Sequence, residues 1–193
     1  MIVATPILVK FEILRQEILK FESQPAVRPV FMIPSPLIRK IQPGDNREIA
    51  EVIRTVFREF GIDRPGTVYF DPTTDDLFTL FMQPGSGYWV AEENGRITGG
   101  CGYYPTPGLP AGCAELVKLY LLPECRGRGT GRLLMETIFE AAGKAGYTRL
   151  YLESMPELNR AISIYEKTGF RFLPERMGNS GHFNCDIWML KDL

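Results

Sequence analysis

The sequence predicts an α/β protein of the α+β kind, a mixed sheet with helices packed on it, in the order βααβββαβαββ. Three observations lead there. Short runs rich in β-branched and aromatic residues alternate with longer runs whose apolar residues recur every three or four positions. Glycine or proline punctuates nearly every run. The 193 residues, 45% of them hydrophobic, suffice for one domain with its own core.

The first strand reads from Leu37-Ile38-Arg39-Lys40-Ile41 and ends at the turn Pro43-Gly44-Asp45. Asp45 is placed to cap a helix over residues 47–60, whose Ile49, Val52, Ile53, Val56, Phe57 and Phe60 share a face; Gly61 ends it. A loop through Pro65-Gly66 and Asp71-Pro72 leads to a short helix over residues 75–81. Residues 88–92 and 96–103 flank Glu93-Asn94-Gly95, and Asn-Gly favours a tight hairpin turn with positive φ. After a loop over 106–112, residues 114–122 form a fourth strand stopped by Pro123. A helix over 130–145, a fifth strand over 149–153 and a helix over 158–168 follow, with Gly146 and Gly169 behind the helices. Residues 170–173 and 183–190 complete the chain as a terminal hairpin.

The first 31 residues differ in character. Residues 8–22 carry apolar side chains at helical spacing among charges, and Ser23-Gln24-Pro25-Ala26-Val27-Arg28-Pro29 has the composition of a linker. A peripheral extension over 1–31 and a domain over 32–193, opening at Met32, are expected.

Composition excludes several classes. A net charge of −1 and a pI near 6.0 give no reason to expect nucleic acid or an anionic membrane as partner. No segment reaches the ~18 apolar residues of a membrane span. The N-terminus lacks the basic start of a secretion signal, so a cytoplasmic protein with reduced thiols is expected. Cys101, Cys113, Cys125 and Cys185 form no C-x-x-C pair and His182 is the one histidine, so no metal site is expected.

One run carries phosphate chemistry. Arg126-Gly127-Arg128-Gly129-Thr130-Gly131 follows the fourth strand and opens the next helix. A helix start offers unpaired N–H groups and a partial positive charge. Glycines let the backbone curl around an oxyanion, and Arg126, Arg128 and Arg132 add cationic donors. The same composition also suits a plain surface turn. A P-loop fits poorly, because no Lys-Ser/Thr follows. A dinucleotide fingerprint fits poorly too: Gly127, Gly129 and Gly131 run G-x-G-x-G, far from the start of a parallel βαβ array.

With these elements in order, residues 32–193 resemble the GCN5-related N-acetyltransferases. The family signature [RQ]-x-x-G-x-[GA] is matched by Arg126, Gly129 and Gly131, and Ala161-Ile162-Ser163-Ile164-Tyr165-Glu166-Lys167-Thr168-Gly169-Phe170 looks like its A-x-x-x-Y-x-x-x-G-F segment. The resemblance implies a mostly antiparallel, twisted sheet with acetyl-CoA in a V-shaped gap between strands four and five. Leu119, Tyr120 and Leu121 would offer main-chain groups to the pantetheine arm. Arg126, Gly127, Arg128, Gly129, Thr130, Gly131 and Arg132 would hold the pyrophosphate.

The chemistry implied is direct attack of a neutral amine on the thioester, which needs a base and an acid. Tyr165 matches the family's acid position, where a phenol of pKa ~10 can share its proton with a departing thiolate; its other reading is a core tyrosine. Glu115, four residues before Leu119, and Glu153, twelve before Tyr165, match the base positions of two branches of the family. Each also suits a salt-bridged carboxylate; Glu115 is favoured. Strand alternation puts Glu115 on one face with Val117 and Leu119 unless a bulge disturbs the count. Many family members carry a cofactor-contacting asparagine seven residues before the tyrosine. Leu158 stands there, with Asn159 one residue late, about 100° around a helix.

Tyr69, Phe70, Asp71, Tyr103 and Tyr104 fall where the family builds its acceptor site, which implies a partly apolar amine or an amino-acid-like acceptor. Cys125 reads as a packing residue; His182 reads as a surface histidine, with a place facing the acceptor pocket as its other reading. The expectation is therefore an N-acetyltransferase moving an acetyl group from acetyl-CoA to a primary amine of a small molecule or peptide, without a metal. Homodimers are frequent in the family. The alternative is a non-catalytic acyl-CoA-binding module of the same fold.

Overall fold

The apolar spacing after Pro43 folds as helix α1, Asn46–Glu59, in a computed structural model that describes residues 35–181 and 184–193. The expected extension over 1–31, its boundary at Met32, and His182 lie outside the described residues. Ile49, Val52, Ile53, Val56 and Phe57 of α1 are all buried. Asp45 does not cap α1. Its carboxylate instead accepts the Gln42 N–H at 2.7 Å and both terminal nitrogens of Arg39, closing the 3-10 turn Pro43–Asp45. A carboxylate beside a guanidinium gains more from that charged pair than from one helix N–H.

The remaining elements follow the predicted order. Helix α2, Leu77–Leu80, is shorter than expected because 3-10 turns at Val68–Phe70 and Pro72–Asp75 take up the chain before it. The other helices are α3, Thr130–Lys144, and α4, Asn159–Lys167. Among the described residues seven strands form one sheet: β1 Leu37–Lys40, β2 Gly87–Glu93, β3 Arg96–Tyr104, β4 Cys113–Leu121, β5 Arg149–Ser154, β6 Arg171–Phe172 and β7 Ile187–Asp192. Their spatial order is β1-β2-β3-β4-β5-β7-β6. Every neighbouring pair is antiparallel except β4 with β5. The last two strands pair as expected, with β7 inside and two-residue β6 at the edge.

Helices cover both faces. Ile49, Ile53 and Phe57 of α1 pack with Leu77, Tyr88 and Val90 on one face. Leu134, Met135 and Ile138 of α3 pack with Ala114, Leu150, Leu152 and Tyr165 on the other. Fully burying one such aliphatic side chain contributes about 1.5–3 kcal/mol, so these two layers hold the sheet between its helices.

Two local features shape the centre of the sheet. Pairing between β3 and β4 shifts between Gly100 and Gly102, and Lys118 opposite them has φ of 52°. This is a β-bulge with a side-chain-bearing residue in the left-handed region, where only a few per cent of non-glycine residues lie. The buried ring of Tyr88 crosses β3 to reach it, and its hydroxyl donates to the Lys118 carbonyl at 2.9 Å. A Cβ on Gly100 would lie 2.6 Å from that ring, so this strand position stays glycine to let the ring through.

Candidate active site

Beyond the bulge, β4 and β5 separate. Their parallel pairing spans only Cys113↔Arg149, Ala114↔Leu150 and Glu115↔Tyr151. From there β5 stays paired with β7 along its other edge, while residues 116–121 of β4 have no strand partner on the β5 side among the described residues. The opening belongs to a cavity of about 1120 Å³ that runs along β4 to the glycine-rich loop. Near its end the Leu122 N–H goes to Thr98 of β3, whereas the Leu121 carbonyl faces the other way and accepts Arg126 Nε at 2.9 Å. Leu119, Tyr120 and Leu121 all line the cavity.

The bulge changes which faces these residues use. Val117 and Tyr120 pack with the α1 side of the sheet, Leu116, Leu119 and Leu121 with the α3 side. Leu119 therefore does not share a face with Val117, as unbroken alternation predicted; the extra residue at Lys118 reverses the count.

The glycine-rich loop leads straight into α3. Gly127 and Gly129 have φ of 75° and 88°, and no atom lies within 4 Å of a Cβ built on either, so backbone conformation and not space selects glycine there. Gly129 is the residue before Thr130, and no side chain caps this helix. Leu133 makes the first intrahelical hydrogen bond, back to Gly129. The N–H groups of Thr130, Gly131 and Arg132 fall in the first turn, which has no intrahelical acceptors to offer them. Thr130 is buried with its Oγ1 lacking a hydrogen-bond partner.

The loop arginines are engaged with protein carboxylates. Arg126 binds Glu59 of α1 through both terminal nitrogens, at 2.7 Å each, and lies 5.5 Å from the Phe60 ring. Arg128 reaches Glu93 at 2.7 Å, and Arg132 pairs with Glu136 one turn along α3. Arg126 and Arg132 line the cavity with Gly127, Gly129 and Gly131; Arg128 and Thr130 do not. Asn159 does not line it either, while Leu158 and Arg160 on each side of it do.

Near the last paired rung the cavity holds both candidate bases. Glu115 stands opposite Tyr151, and Glu153 lies two residues further along β5. Both are buried. Glu115 accepts from the Thr106 hydroxyl. Glu153 accepts from Tyr151 at 2.9 Å and Ser180 at 2.8 Å, with Arg176 at 3.6 Å. Tyr165 of α4 lines the same cavity from the α3 side, braced edge-on against Phe170 at 5.8 Å. Burial pushes its phenol above the ordinary tyrosine range, so it holds its proton at neutral pH.

The sequence matches a known family. The model of the acetyltransferase (GNAT) family covers residues 50–170. The chain belongs to the GNAT acetyltransferase family. It is 39% identical over 160 residues to YjgM, an uncharacterised N-acetyltransferase of Escherichia coli K12, covering 82% of this chain and 96% of that protein. Among solved structures it resembles a GNAT-family acetyltransferase of Staphylococcus aureus Mu50, with a TM-score of 0.73, 18% identity, and coverage of 82% and 99% of the two chains. The PaiA N-acetyltransferase of Thermoplasma acidophilum, solved with coenzyme A, aligns with a TM-score of 0.66 at 19% identity, over 83% of this chain and all of that one. At such identities these structures show the fold alone. It is the GNAT fold, with the mostly antiparallel sheet expected.

Of the aromatic residues expected around a GNAT acceptor, Tyr104 lines the cavity. Tyr69 packs behind Phe57, Phe70 points to solvent, and Tyr103 lies on the opposite face against Trp89. Cys125 is buried in the α1-side core, as a packing residue would be. Sequence reasoning missed Lys118 and Tyr88. The one signal for Lys118 was a single charge inside the apolar run Leu116-Val117-Lys118-Leu119-Tyr120. Among the described residues, no group of three or more His, Cys, Asp or Glu side chains could hold a metal ion, and no helix is long and apolar enough to cross a membrane.

Proposed function

We propose that this GNAT protein transfers the acetyl group of acetyl-CoA to a primary amine by direct attack within a ternary complex. One observation carries the reading: a single cavity joins the glycine-rich start of α3 to Tyr165, Glu115 and Glu153 through the opened β4–β5 edge. The chain fits the donor substrate. The first-turn N–H groups of α3 and the flanking glycines suit a pyrophosphate, and the free edge of residues 119–121 suits the amides of a pantetheine arm.

Glu115, acting directly or through a water, takes a proton from the acceptor ammonium. The neutral amine then adds to the thioester carbonyl, forming the C–N bond as the C–S bond breaks. Tyr165, protonated at neutral pH, gives its proton to the departing thiolate, and the acylated nitrogen loses its second proton to the phenolate, restoring the phenol. Glu153 is held by three polar partners and serves better as a fixed charge in the acceptor region. Four free cysteines support a reducing compartment such as the cytoplasm.

Thermal-shift titration tests the donor half. Acetyl-CoA should stabilise the wild type and Tyr165→Phe alike, while ATP and NAD should not. Stabilisation by ATP alone would contradict the reading.

A further inference from the structure

Lys118 is the one lysine or arginine of β4, its side chain is buried within the cavity wall, and neither the fold nor the acetyl-transfer chemistry asks for it. Its side chain is 6% exposed, and its ammonium lies 3.1 Å from Asp71 Oδ2. Asp71 belongs to the segment between α1 and α2, and both residues line the cavity. An ammonium has three N–H donors. Among the described residues one of them is taken, by Asp71, so two remain on a buried cation at the cavity surface.

Such a group is costly to desolvate unless oxygen atoms complete its shell. Burial lowers the Lys118 pKa, and the Asp71 and Glu115 carboxylates oppose that shift. The left-handed backbone at the bulge, secured by the Tyr88 hydroxyl, fixes where this side chain starts. Glu115 and Glu153 supply negative charge to the same cavity, and Phe57, Phe60, Phe81 and Tyr104 give it an apolar wall.

We infer that the acceptor is an amino acid with an apolar or aromatic side chain, its carboxylate bound by Lys118 and its amine turned toward Glu115. The inference rests on the acetyl-transfer reading and deepens it. The positive and negative groups of one zwitterion each meet an opposite charge in the cavity, and its side chain meets the aromatic wall. Lys118 is then a specificity-determining residue.

The test is a thiol-release assay with acetyl-CoA over matched acceptors: L-phenylalanine, L-phenylalaninamide and 2-phenylethylamine, with the leucine series beside it. The wild type should prefer the carboxylate members by about 10- to 100-fold in kcat/KM, the range expected for hydrogen bonds to a charged group. Lys118→Met should bring that ratio close to one, mainly through KM of the amino acid. Because Lys118→Met removes a positive charge beside Asp71, the neutral pair Lys118→Met/Asp71→Asn is measured too, and it should lose the preference while remaining folded by circular dichroism. If amides and decarboxylated amines react as well as the amino acids, the inference is overturned and the acetyl-transfer reading stands. If no amine in any series consumes acetyl-CoA, both fall.

Discussion

Arg126 and Glu59 form a two-pronged ion pair, Nη1 to Oε1 and Nη2 to Oε2 at 2.7 Å each, that ties the first residue of the glycine-rich loop to the last residue of α1. With its Nε on the Leu121 carbonyl, Arg126 uses its donors to hold the loop in place. Glu59→Gln should loosen the loop and raise KM for acetyl-CoA about 10-fold, the order expected for losing one charged hydrogen-bonded contact. Its kcat should change much less. Initial-rate kinetics at saturating amine measure the split; an equal loss in kcat would assign Glu59 a different role.

Gly129→Ala should cost about 1–2 kcal/mol, the price of a side chain in the left-handed region, because φ there is 88° although the space is open. Gly131 lacks positive φ, and its new Cβ would meet only the flexible tip of Leu121 at 3.1 Å. Gly131→Ala should therefore be the milder change in a urea melt. The reverse ranking would show that the loop conformation is not the constraint.

Buried tyrosines and thiols set an alkaline limit. Burial raises the pKa of Tyr88, Tyr120, Tyr165 and Cys101. A folded pKa above the unfolded value contributes stability that is complete below the unfolded pKa and is lost as pH rises. Unfolded thiols and phenols titrate near ~8.5 and ~10, so the urea midpoint should hold from neutral pH to about pH 8.5 and fall above it. A midpoint already falling between pH 7 and 8 would implicate other groups.

Glu115→Gln should lower kcat by about 100-fold, within the range for a lost general base. Glu153→Gln should act chiefly on stability and on KM of the amine, since that carboxylate anchors Tyr151, Ser180 and Arg176. A larger kcat loss in Glu153→Gln would exchange the two roles.

The element order was legible because periodicity is local. Residues 130–145 and the Asn94-Gly95 turn needed no partner to be read, and the turn has φ of 53° and 75° as expected. The bulge was not legible. It depends on three strands at once, with glycines of β3 admitting a ring from β2 that holds a carbonyl on β4. For the same reason unbroken alternation put Leu119 on the face of Val117, a count the bulge overturns, and Lys118 was passed over. The carboxylate partners of Arg126 and Arg128, Glu59 and Glu93, were not legible because they are far away in the chain.

The central claim is acetyl transfer with Tyr165 as the acid. It is tested most directly by following thiol release and the mass of the amine product together, for the wild type and Tyr165→Phe. The account predicts one acetylated amine per thiol for the wild type. For Tyr165→Phe it predicts turnover lower by about 100-fold or more, with acetyl-CoA affinity kept within a few-fold. Undiminished turnover in the variant, or acetyl-CoA bound tightly by the wild type with no acetylated amine formed, would contradict it.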